Sequence, residues 1–281
     1  MNWNINRFIP LRKVLKSMQN GIESKITSIK FYNCGYCMND LKRMYKEIKK
    51  HKKVIFRARV MLIDHKTYGK ILVDTGYSHR IYENGLTSKL YHLINPTYYT
   101  KKDHILYQLR KDGIKPGDLS MIILTHLHPD HIGGLHDIKN TLIIMSDKCR
   151  KKITGARYKE LVFPNQIGKC MENQIMSVSV NNKSPLKGFK GKDLFGDGSV
   201  WLMELEGHAY GQIGIYIPEK KLFYVADAVW GTDFLKYRLR MIPRLIQNDY
   251  MAYVQTVKKL TALKGVSIIS AHGEEVYNDA Q

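Results

Sequence analysis

Several features of secreted and membrane proteins are missing from this chain of 281 residues. Its four cysteines are too few and too scattered for a disulfide framework, which excludes the small disulfide-stapled folds. No apolar run approaches the roughly 20 residues that a membrane-spanning helix needs. Residues 1–20 alternate apolar and basic side chains and lack the continuous apolar segment of a signal peptide. We therefore expect a soluble, cytoplasmic protein without a membrane span.

Acidic residues are also scarce, since 25 Asp and Glu stand against 45 Lys and Arg and the formal net charge is +20. Such an excess attracts anionic surfaces and substrates. The basic residues concentrate in four separate stretches, at 49–53, 148–152, 183–192 and 238–244. Because no nucleic-acid-binding motif accompanies them, we interpret them as solvated faces and keep a nucleic-acid partner as the less favoured alternative.

The pair Cys34 and Cys37 has the C-x-x-C spacing of a metal-binding or redox-active thiol pair. No second pair of this kind follows, and no thioredoxin-like pattern surrounds the first one. We interpret both cysteines as small buried hydrophobic residues near the end of a strand. A thiol-pair function stays open as the alternative.

A hydrophobic fraction of 44% suffices for a sizeable core, and no segment resembles a linker, so we predict one domain over residues 1–281. Alternation and β-branched residues predict strands at 25–32, 54–63, 70–73, 119–124, 143–145, 200–205, 213–217, 222–226 and 267–270. Two groups of strands, each followed by helices, indicate two β-sheets packed face to face with helices outside, which is an α/β class.

Capping and stop signals predict three helices, at 104–111, from residue 147 onward, and from an Asn248 cap to Gly265. The long stretch 157–197 is weakly patterned, and such length is typical of a functional cover or a mobile loop. Together with 82–99 and 230–244, which are rich in aromatic and basic residues, it is expected to shape a pocket.

The most informative segment is Thr125-His126-Leu127-His128-Pro129-Asp130-His131, where three of the 11 histidines and one carboxylate fall within a few positions. Imidazole and carboxylate are common metal ligands, and such a cluster has little use in ordinary packing. The segment directly follows a predicted strand, so its side chains lie on a loop at a strand's carboxyl end. The alternative interpretation is a solvated, histidine-rich turn.

Three further candidates, His208, Asp227 and His272, also follow predicted strands. If these strand ends converge on one edge of the fold, five histidines and two aspartates meet in one place, which is enough for two metal ions. Taken singly, His208 and His272 would be surface or packed histidines, and Asp74 would be a turn former before Gly76. Their joint order after strand ends favours a metal site.

This arrangement resembles the metallo-β-lactamase superfamily, whose fold is a four-layer αββα sandwich of two mixed β-sheets flanked by helices. The likeness runs from about residue 25 to His272. Its motifs are Leu72-Val73-Asp74-Thr75-Gly76, the histidine cluster, Gly207-His208, Ala226-Asp227 and Ala271-His272-Gly273.

The resemblance implies a dinuclear metal site with two ligand sets. His126, His128 and His208 would bind one ion, Asp130, His131 and His272 the other, and Asp227 would bridge both. Zinc is the expected metal, and iron or manganese suit the same ligands. In such a hydrolase a metal-bridging hydroxide attacks an ester-type carbonyl, with Asp130 or Asp227 as the catalytic residue that handles the proton and Asp74 orienting a ligand histidine.

Within the superfamily the sequence is similar to the N-acyl homoserine lactonases, in Cys37-Met38-Asn39-Asp40, in 71–76, in overall length and in the lack of a C-terminal domain. A lactone is therefore the expected small-molecule substrate. Those lactonases carry Phe where this chain has Pro129, and Tyr where it has Trp230. The indole N–H of Trp230 can replace the phenol as a hydrogen-bond donor, or Trp230 is a core residue.

Other activities of the superfamily stay open. A glyoxalase-like thioesterase shares the ligands but usually adds a helical C-terminal domain, and a phosphodiesterase or nuclease would use the positive charge. The RNA-processing relatives carry an additional arm that is not evident here, and no flavin-binding segment of the iron-containing redox relatives is seen. The sequence is compatible with a monomer and with a homodimer.

Overall fold

The computed structural model describes residues 24–83, 85–153, 160–163, 166–167 and 173–276. Within these ranges the strands are β1 (Ile26–Asp40), β2 (Lys53–His65), β3 (Gly69–Val73), β4 (Thr97–Tyr98), β5 (Leu119–Ile123), β6 (Leu142–Ser146), β7 (Ile175–Val178), β8 (Asn182–Lys183), β9 (Lys190–Asp193), β10 (Trp201–Glu204), β11 (Ile213–Ile217), β12 (Leu222–Tyr224), β13 (Ser267–Ile269) and β14 (Glu274–Val276). The α-helices are α1 (Leu41–Met44), α2 (Leu86–Ile94), α3 (Ile105–Lys111), α4 (Pro129–Ile132), α5 (Asp147–Arg150), α6 (Met241–Leu245) and α7 (Tyr250–Ala262).

The strands form two mixed sheets. The first sheet has the order β4-β1-β2-β3-β5-β6-β7, with β14 paired to β2, and the second has the order β13-β12-β11-β10-β9-β8. Strands β3, β5, β6 and β7 run parallel to one another, and β13 runs parallel to β12. Parallel neighbours end at the same edge of a sheet, so the loops that follow these strands lie on the same edge.

The layer between the sheets consists of aliphatic side chains that alternate along the strands. Ile63, Val73 and Ile123 of the first sheet meet Ile215 and Tyr224 of the second, and all five are buried. In a strand, alternate side chains point to opposite faces, so the intervening residues must be covered from outside. This requirement places a layer of helices on each sheet.

Each outer face is covered as this pattern demands. Leu72 and Ile122 of the first sheet pack with Ile105 and Leu109 of α3. On the other side, Phe223 of β12 belongs to a cluster that includes Tyr253 and Leu260 of α7. The predicted αββα sandwich is therefore confirmed. No helix among the residues that the structure describes is long and apolar enough to cross a membrane.

The predicted strands all occur, and apart from β1 their ends shift by no more than a few residues. Strand β1 is much longer than predicted, because it continues past a bulge near Asn33 and pairs with β2 as far as Asp40. Cys34 and Cys37 therefore lie within a strand rather than near its end. Both are buried, and burial raises the pKa of each thiol well above its usual range, which agrees with their interpretation as small core residues.

Three expectations about helices and loops need correction. The described part of the stretch 157–197 contains strands β7, β8 and β9, so it extends both sheets and is not simply a cover or loop. Helix α7 is capped by Asp249, whose carboxylate accepts from the backbone N–H groups of Met251 and Ala252. Asn248 instead donates its own N–H to the His208 carbonyl. The helix ends at Ala262, before Gly265.

A close backbone contact joins the turn after β3 to the segment after α4. A Cβ atom at Gly133 would lie 2.6 Å from both the Gly76 carbonyl oxygen and the Ser78 nitrogen. The Thr75 N–H donates to the His131 carbonyl at 2.7 Å in the same contact. A side chain at residue 133 would therefore push apart the loop that carries Asp74 and the segment that carries His131.

We expect Gly133→Ala to lower the free energy of unfolding by about 1–3 kcal/mol, because the methyl group meets backbone atoms that cannot rotate away. Gly117→Ala is the matched control, since no heavy atom lies within 4 Å of its added Cβ. That variant is expected to change stability by no more than about 0.5 kcal/mol. Urea unfolding of both variants measures the difference, and equal values would contradict the tight contact.

Candidate metal centre

Seven polar side chains from the loops after four strands lie close together. His126 follows β5 closely, and His128 is the N-cap of α4, with Pro129 at the first helical position. Proline suits this position because the N–H it lacks has no partner within the helix. The seven residues are each at most 7% exposed: His126, His128, Asp130, His131, His208, Asp227 and His272. The structure thus brings together every residue that the sequence analysis singled out as a ligand.

These side chains form two groups that share one residue. The first group is His126, His128, His208 and Asp227, and the second is Asp130, His131, Asp227 and His272. Within each group, one potential ligand atom from every residue lies within 4.8 Å of the others. This division is the same as that of the two ligand sets implied by the family resemblance. Whether these residues bind metal ions stays a prediction.

Asp227 lies between the two groups. Its Oδ2 atom is 2.9 Å from His272 Nε2 and 3.4 Å from His208 Nε2, while its Oδ1 atom is 3.1 Å from His131 Nε2. One carboxylate therefore contacts histidines of both groups. Burial opposes ionisation of Asp227, but the neighbouring His272 and His131 outweigh it and hold its pKa well below the usual range.

Hydrogen bonds on the far side of three imidazole rings fix their orientation. His131 Nδ1 lies 2.8 Å from Asp74 Oδ2, His208 Nδ1 lies 3.1 Å from Gln247 Oε1, and His272 Nδ1 lies 2.9 Å from the Arg57 carbonyl oxygen. A ring whose Nδ1–H donates outward presents an unprotonated Nε2 atom to the centre, which is the form that binds metals. Asp74 thus stands where it was predicted to orient a ligand histidine.

Sequence reasoning missed most of these outer partners. Thr125 donates its N–H to Asp74 Oδ1 at 2.8 Å, and its hydroxyl contacts the same carboxylate. Its position directly before the cluster was the only available signal. Gln247 precedes α7 and Arg57 contributes only a backbone carbonyl, so neither carries a pattern that sequence analysis can detect.

The donor atoms fit a bound metal ion. His126 Nε2, His131 Nε2 and Asp227 Oδ1 are buried and have no well-directed hydrogen-bond partner within the described residues. Leaving such atoms unsatisfied costs free energy, so native proteins usually give them a partner. A set of nitrogen and oxygen donors without thiolate suits zinc in a site that keeps positions open for water.

The imidazoles differ in their electrostatic environment. Burial lowers the pKa of His126 well below its usual range, and the neighbouring His131 and His128 lower it further. A neutral imidazole is the ligand form, so this environment favours metal binding over protonation. Burial also opposes a charge on His131, but Asp130, Asp227 and Asp74 outweigh it and raise its pKa. The carboxylates around His131 therefore stabilise a positive charge in the second group.

The backbone leaves ordinary strand geometry at several of these positions. Asp74 and Ala226 have φ values of 63° and 47°, although neither is glycine. Gly207 has a φ of 124°, and a Cβ atom there would lie 2.1 Å from the Tyr253 nitrogen. Strain of this kind concentrates at functional sites, where the surrounding structure maintains it. At Ala226 and Gly207 it turns the chain sharply before Asp227 and His208, and at Asp74 it accompanies a carboxylate that contacts His131.

A buried pair of tyrosines lies near Asp130. The Tyr77 and Tyr91 hydroxyls are 3.2 Å apart, and Asn95 donates to the Tyr91 oxygen at 2.9 Å. Burial raises the pKa of both phenols well above their usual range, and the negative charge of Asp130 raises each further. Both tyrosines therefore stay protonated and supply hydroxyl groups next to the second group.

A cavity of about 60 Å³ adjoins the first group. His128 and His208 form one wall, and Leu245 and Ile246 belong to another. Lys152 also lines it, paired with Glu160 at 2.8 Å. Of the segments expected to shape a pocket, 157–197 contributes here, while the described residues of 82–99 and 230–244 do not.

Trp230 has contacts of two kinds. It is buried in the apolar cluster beneath α7, and its ring meets the His208 ring edge-on, with centroids 5.8 Å apart. Trp230 is therefore a core residue that also supports a candidate ligand.

An αββα sandwich with paired His/Asp groups at one sheet edge defines a class of metallohydrolase folds. The sequence identifies the superfamily, because residues 56–272 match the profile of the metallo-beta-lactamase superfamily. The chain belongs to this superfamily.

Several curated proteins are similar to this chain over only part of their own length. An N-acyl homoserine lactonase from Bacillus cereus is 35% identical over 117 residues, which are 37% of this chain and 43% of that protein. One from Bacillus thuringiensis is 30% identical over 157 residues, 52% of this chain and 60% of that protein. A hydroxyacylglutathione hydrolase from Bartonella tribocorum is 25% identical over 162 residues, 58% and 51% respectively. The chain thus spans about half the length of these relatives.

Solved structures match the fold over nearly the whole chain. An N-acyl homoserine lactone hydrolase with the product N-hexanoyl-L-homoserine bound at its catalytic metal center superposes with a TM-score of 0.71 at 20% identity, covering 89% of this chain and 94% of that one. A probable metal-dependent hydrolase from Staphylococcus aureus gives 0.65 at 15% identity, covering 92% and 94%. At these identities the likeness establishes the shared fold.

We expect Asp74→Asn to weaken metal binding about 10–100-fold, because the neutral amide orients His131 less firmly and leaves one N–H group without an acceptor. Asp64→Asn is a suitable control, since that carboxylate pairs with Lys70 at 2.6 Å on a half-exposed stretch of strand. Competition with a chromogenic chelator measures both affinities. Equal affinity in the two variants would show that Asp74 does not support the centre.

Proposed function

We propose that this protein is a dinuclear metal-dependent hydrolase that opens a lactone ring. The observation that carries the proposal is the pair of His/Asp groups sharing Asp227, with three of the rings oriented from outside by Asp74, Gln247 and Arg57. Two adjacent sites joined by a carboxylate are typical of hydrolytic centres. Similarity to the N-acyl homoserine lactonases supports a lactone as the substrate.

The chain's own residues divide the work in this proposal. The two groups hold two divalent ions, zinc being the metal that suits the donors best, and these supply Lewis acidity and activate water at neutral pH. Asp227 keeps a negative charge between them. Asp130 Oδ2, which lies 3.4 Å from His272 Nε2 and 3.6 Å from His131 Nε2, is placed to accept a proton from the attacking water.

The proposed reaction is the hydrolysis of the ester bond in the lactone ring. A bond forms between the water oxygen and the carbonyl carbon, and the bond between that carbon and the ring oxygen breaks. Asp130 returns its proton to the departing ring oxygen, so that lactone and water give one hydroxy acid. The Leu245 and Ile246 side chains at the cavity wall provide apolar contact for an uncharged substrate.

A thioester is the second candidate substrate. The match to a hydroxyacylglutathione hydrolase favours it, and thioester hydrolysis uses the same attack on a carbonyl carbon. A phosphodiester is a weaker candidate that the net charge of +20 favours. Against it, the Lys152 ammonium at the cavity is already paired with Glu160.

Metal analysis tests the dinuclear centre. We expect about two ions per chain in the purified protein, and His128→Ala should lose at least about one ion together with about 100-fold or more of the hydrolytic activity. His136→Ala is the control, because that ring is partly exposed and lies outside both groups. Full activity in metal-free protein would contradict the proposal.

A small substrate panel tests the choice of lactone. N-acyl homoserine lactones, a glutathione thioester and bis(4-nitrophenyl) phosphate are compared on the same metal-loaded protein. We expect kcat/KM for the lactones to exceed the other two by about tenfold or more, since Leu245 and Ile246 offer apolar contact at the cavity and its described lining residues include no unpaired cation. Turnover of the phosphodiester alone would overturn the lactone assignment.

A further inference from the structure

The short helix α6 exposes large apolar side chains. Met241, Ile242 and Leu245 are 71%, 61% and 75% exposed, although the helix has only five residues. Scattered exposed apolar residues are ordinary, but adjacent ones on a single helix form a patch that usually meets a partner.

The helix is firmly held in this orientation. Pro243 is buried beneath it, the Arg240 N–H donates to the Met44 carbonyl at 2.8 Å, and Arg240 Nε donates to the Tyr45 carbonyl at 3.0 Å. At its far end, Gln247 Nε2 donates to the Pro243 carbonyl at 2.8 Å. The apolar side chains therefore stay at the surface because the backbone that carries them is anchored.

Positive charge surrounds the apolar side chains. An open depression of about 610 Å³ beside Met241 is lined, among the described residues, by four basic side chains and one acidic one: Lys46, Lys49, Arg238, Arg240 and Glu47. Glu47 pairs with Arg238 at 2.7 Å, so three positive charges remain in excess. No acidic residue occurs in the sequence between Asp233 and Asp249. We call this surface, made of α6 and the depression, the basic apolar patch. Its charge suits an anionic partner.

We propose that the basic apolar patch docks onto the surface of an anionic lipid bilayer. Apolar side chains on a basic helix insert at the boundary between headgroups and acyl chains, while Lys and Arg contact anionic headgroups. The exposed apolar members are aliphatic, and two of the four depression cations are lysines. Protein interfaces are enriched in aromatic residues, Met and Arg and depleted in Lys. The patch shares Met241 and two arginines with such interfaces, but none of its named members is aromatic and two are lysines, and this composition together with the positive charge favours an anionic lipid surface.

Docking in this way turns the candidate centre toward the membrane. Leu245 and Ile246, at the end of α6 opposite Met241, belong to the wall of the cavity that His128 and His208 adjoin. A substrate dissolved in the bilayer would thus reach the cavity without crossing water. This consequence rests on the proposed hydrolase function, whereas the docking itself does not.

Vesicle sedimentation tests the proposal on the full chain. The probes are vesicles of phosphatidylcholine alone and of phosphatidylcholine mixed with phosphatidylglycerol. We expect binding to the anionic vesicles to be stronger by about tenfold or more, and to fall as salt is added. Equal binding to both vesicles, or binding to neither, overturns the proposal.

Paired variants show whether the patch is responsible. Met241→Ser with Ile242→Ser, and separately Lys49→Glu with Arg238→Glu, should each reduce anionic binding about tenfold or more. The matched controls are Leu86→Ser with Leu93→Ser, which are 72% and 78% exposed on α2, and Lys101→Glu with Lys102→Glu. These controls should retain binding. Equal losses in patch and control variants would overturn the assignment.

Two further readouts separate the failure modes. Thermal unfolding shows whether each variant is folded, and turnover of a water-soluble ester should be unchanged in Met241→Ser with Ile242→Ser, since neither residue lines the cavity. Loss of vesicle binding with retained turnover supports the patch. If the protein hydrolyses none of the esters tested, sedimentation still decides the docking, so the two proposals fail independently.

Discussion

The buried carboxylate of Asp227 is the constraint on which the rest of the site depends. It contacts His208 of one group and both His131 and His272 of the other, and a charge in this position is tolerable only because those imidazoles surround it. Each of the three rings is in turn held from behind, by Gln247, Asp74 or the Arg57 carbonyl. The centre therefore depends on contacts that reach into both sheets and the loop before α7.

The sandwich tolerates this cluster of buried polar groups because its core is aliphatic and the polar groups are confined to strand ends. Ile123 and Tyr224 end their strands inside the layer between the sheets, and the following few residues turn out of it. The left-handed backbone of Ala226 makes the turn after β12 within one residue, and that of Asp74 makes a corresponding turn after β3. Local strain at the site is thus maintained by packing elsewhere.

Much of this could be predicted from the sequence because the signals are local. Alternation reveals a strand, and the spacing of His126, His128, Asp130 and His131 stays visible in one short segment. Gln247 and Arg57 escaped detection because their roles arise only from tertiary contact. The cap of α7 was assigned one residue early since Asn248 and Asp249 are equally good caps, and only the His208 loop decides between them. Helix α2 was missed because much of its apolar surface faces solvent.

The order of the ligands along the chain has a consequence for biosynthesis. Every member of the first group, from His126 to Asp227, precedes β13 in the sequence. The second group is complete only with His272, which follows β13. As the polypeptide emerges from the ribosome, one group of candidate ligands is therefore fully encoded while the other still lacks an imidazole. Because Asp227 belongs to both, completing the first group also supplies a carboxylate of the second.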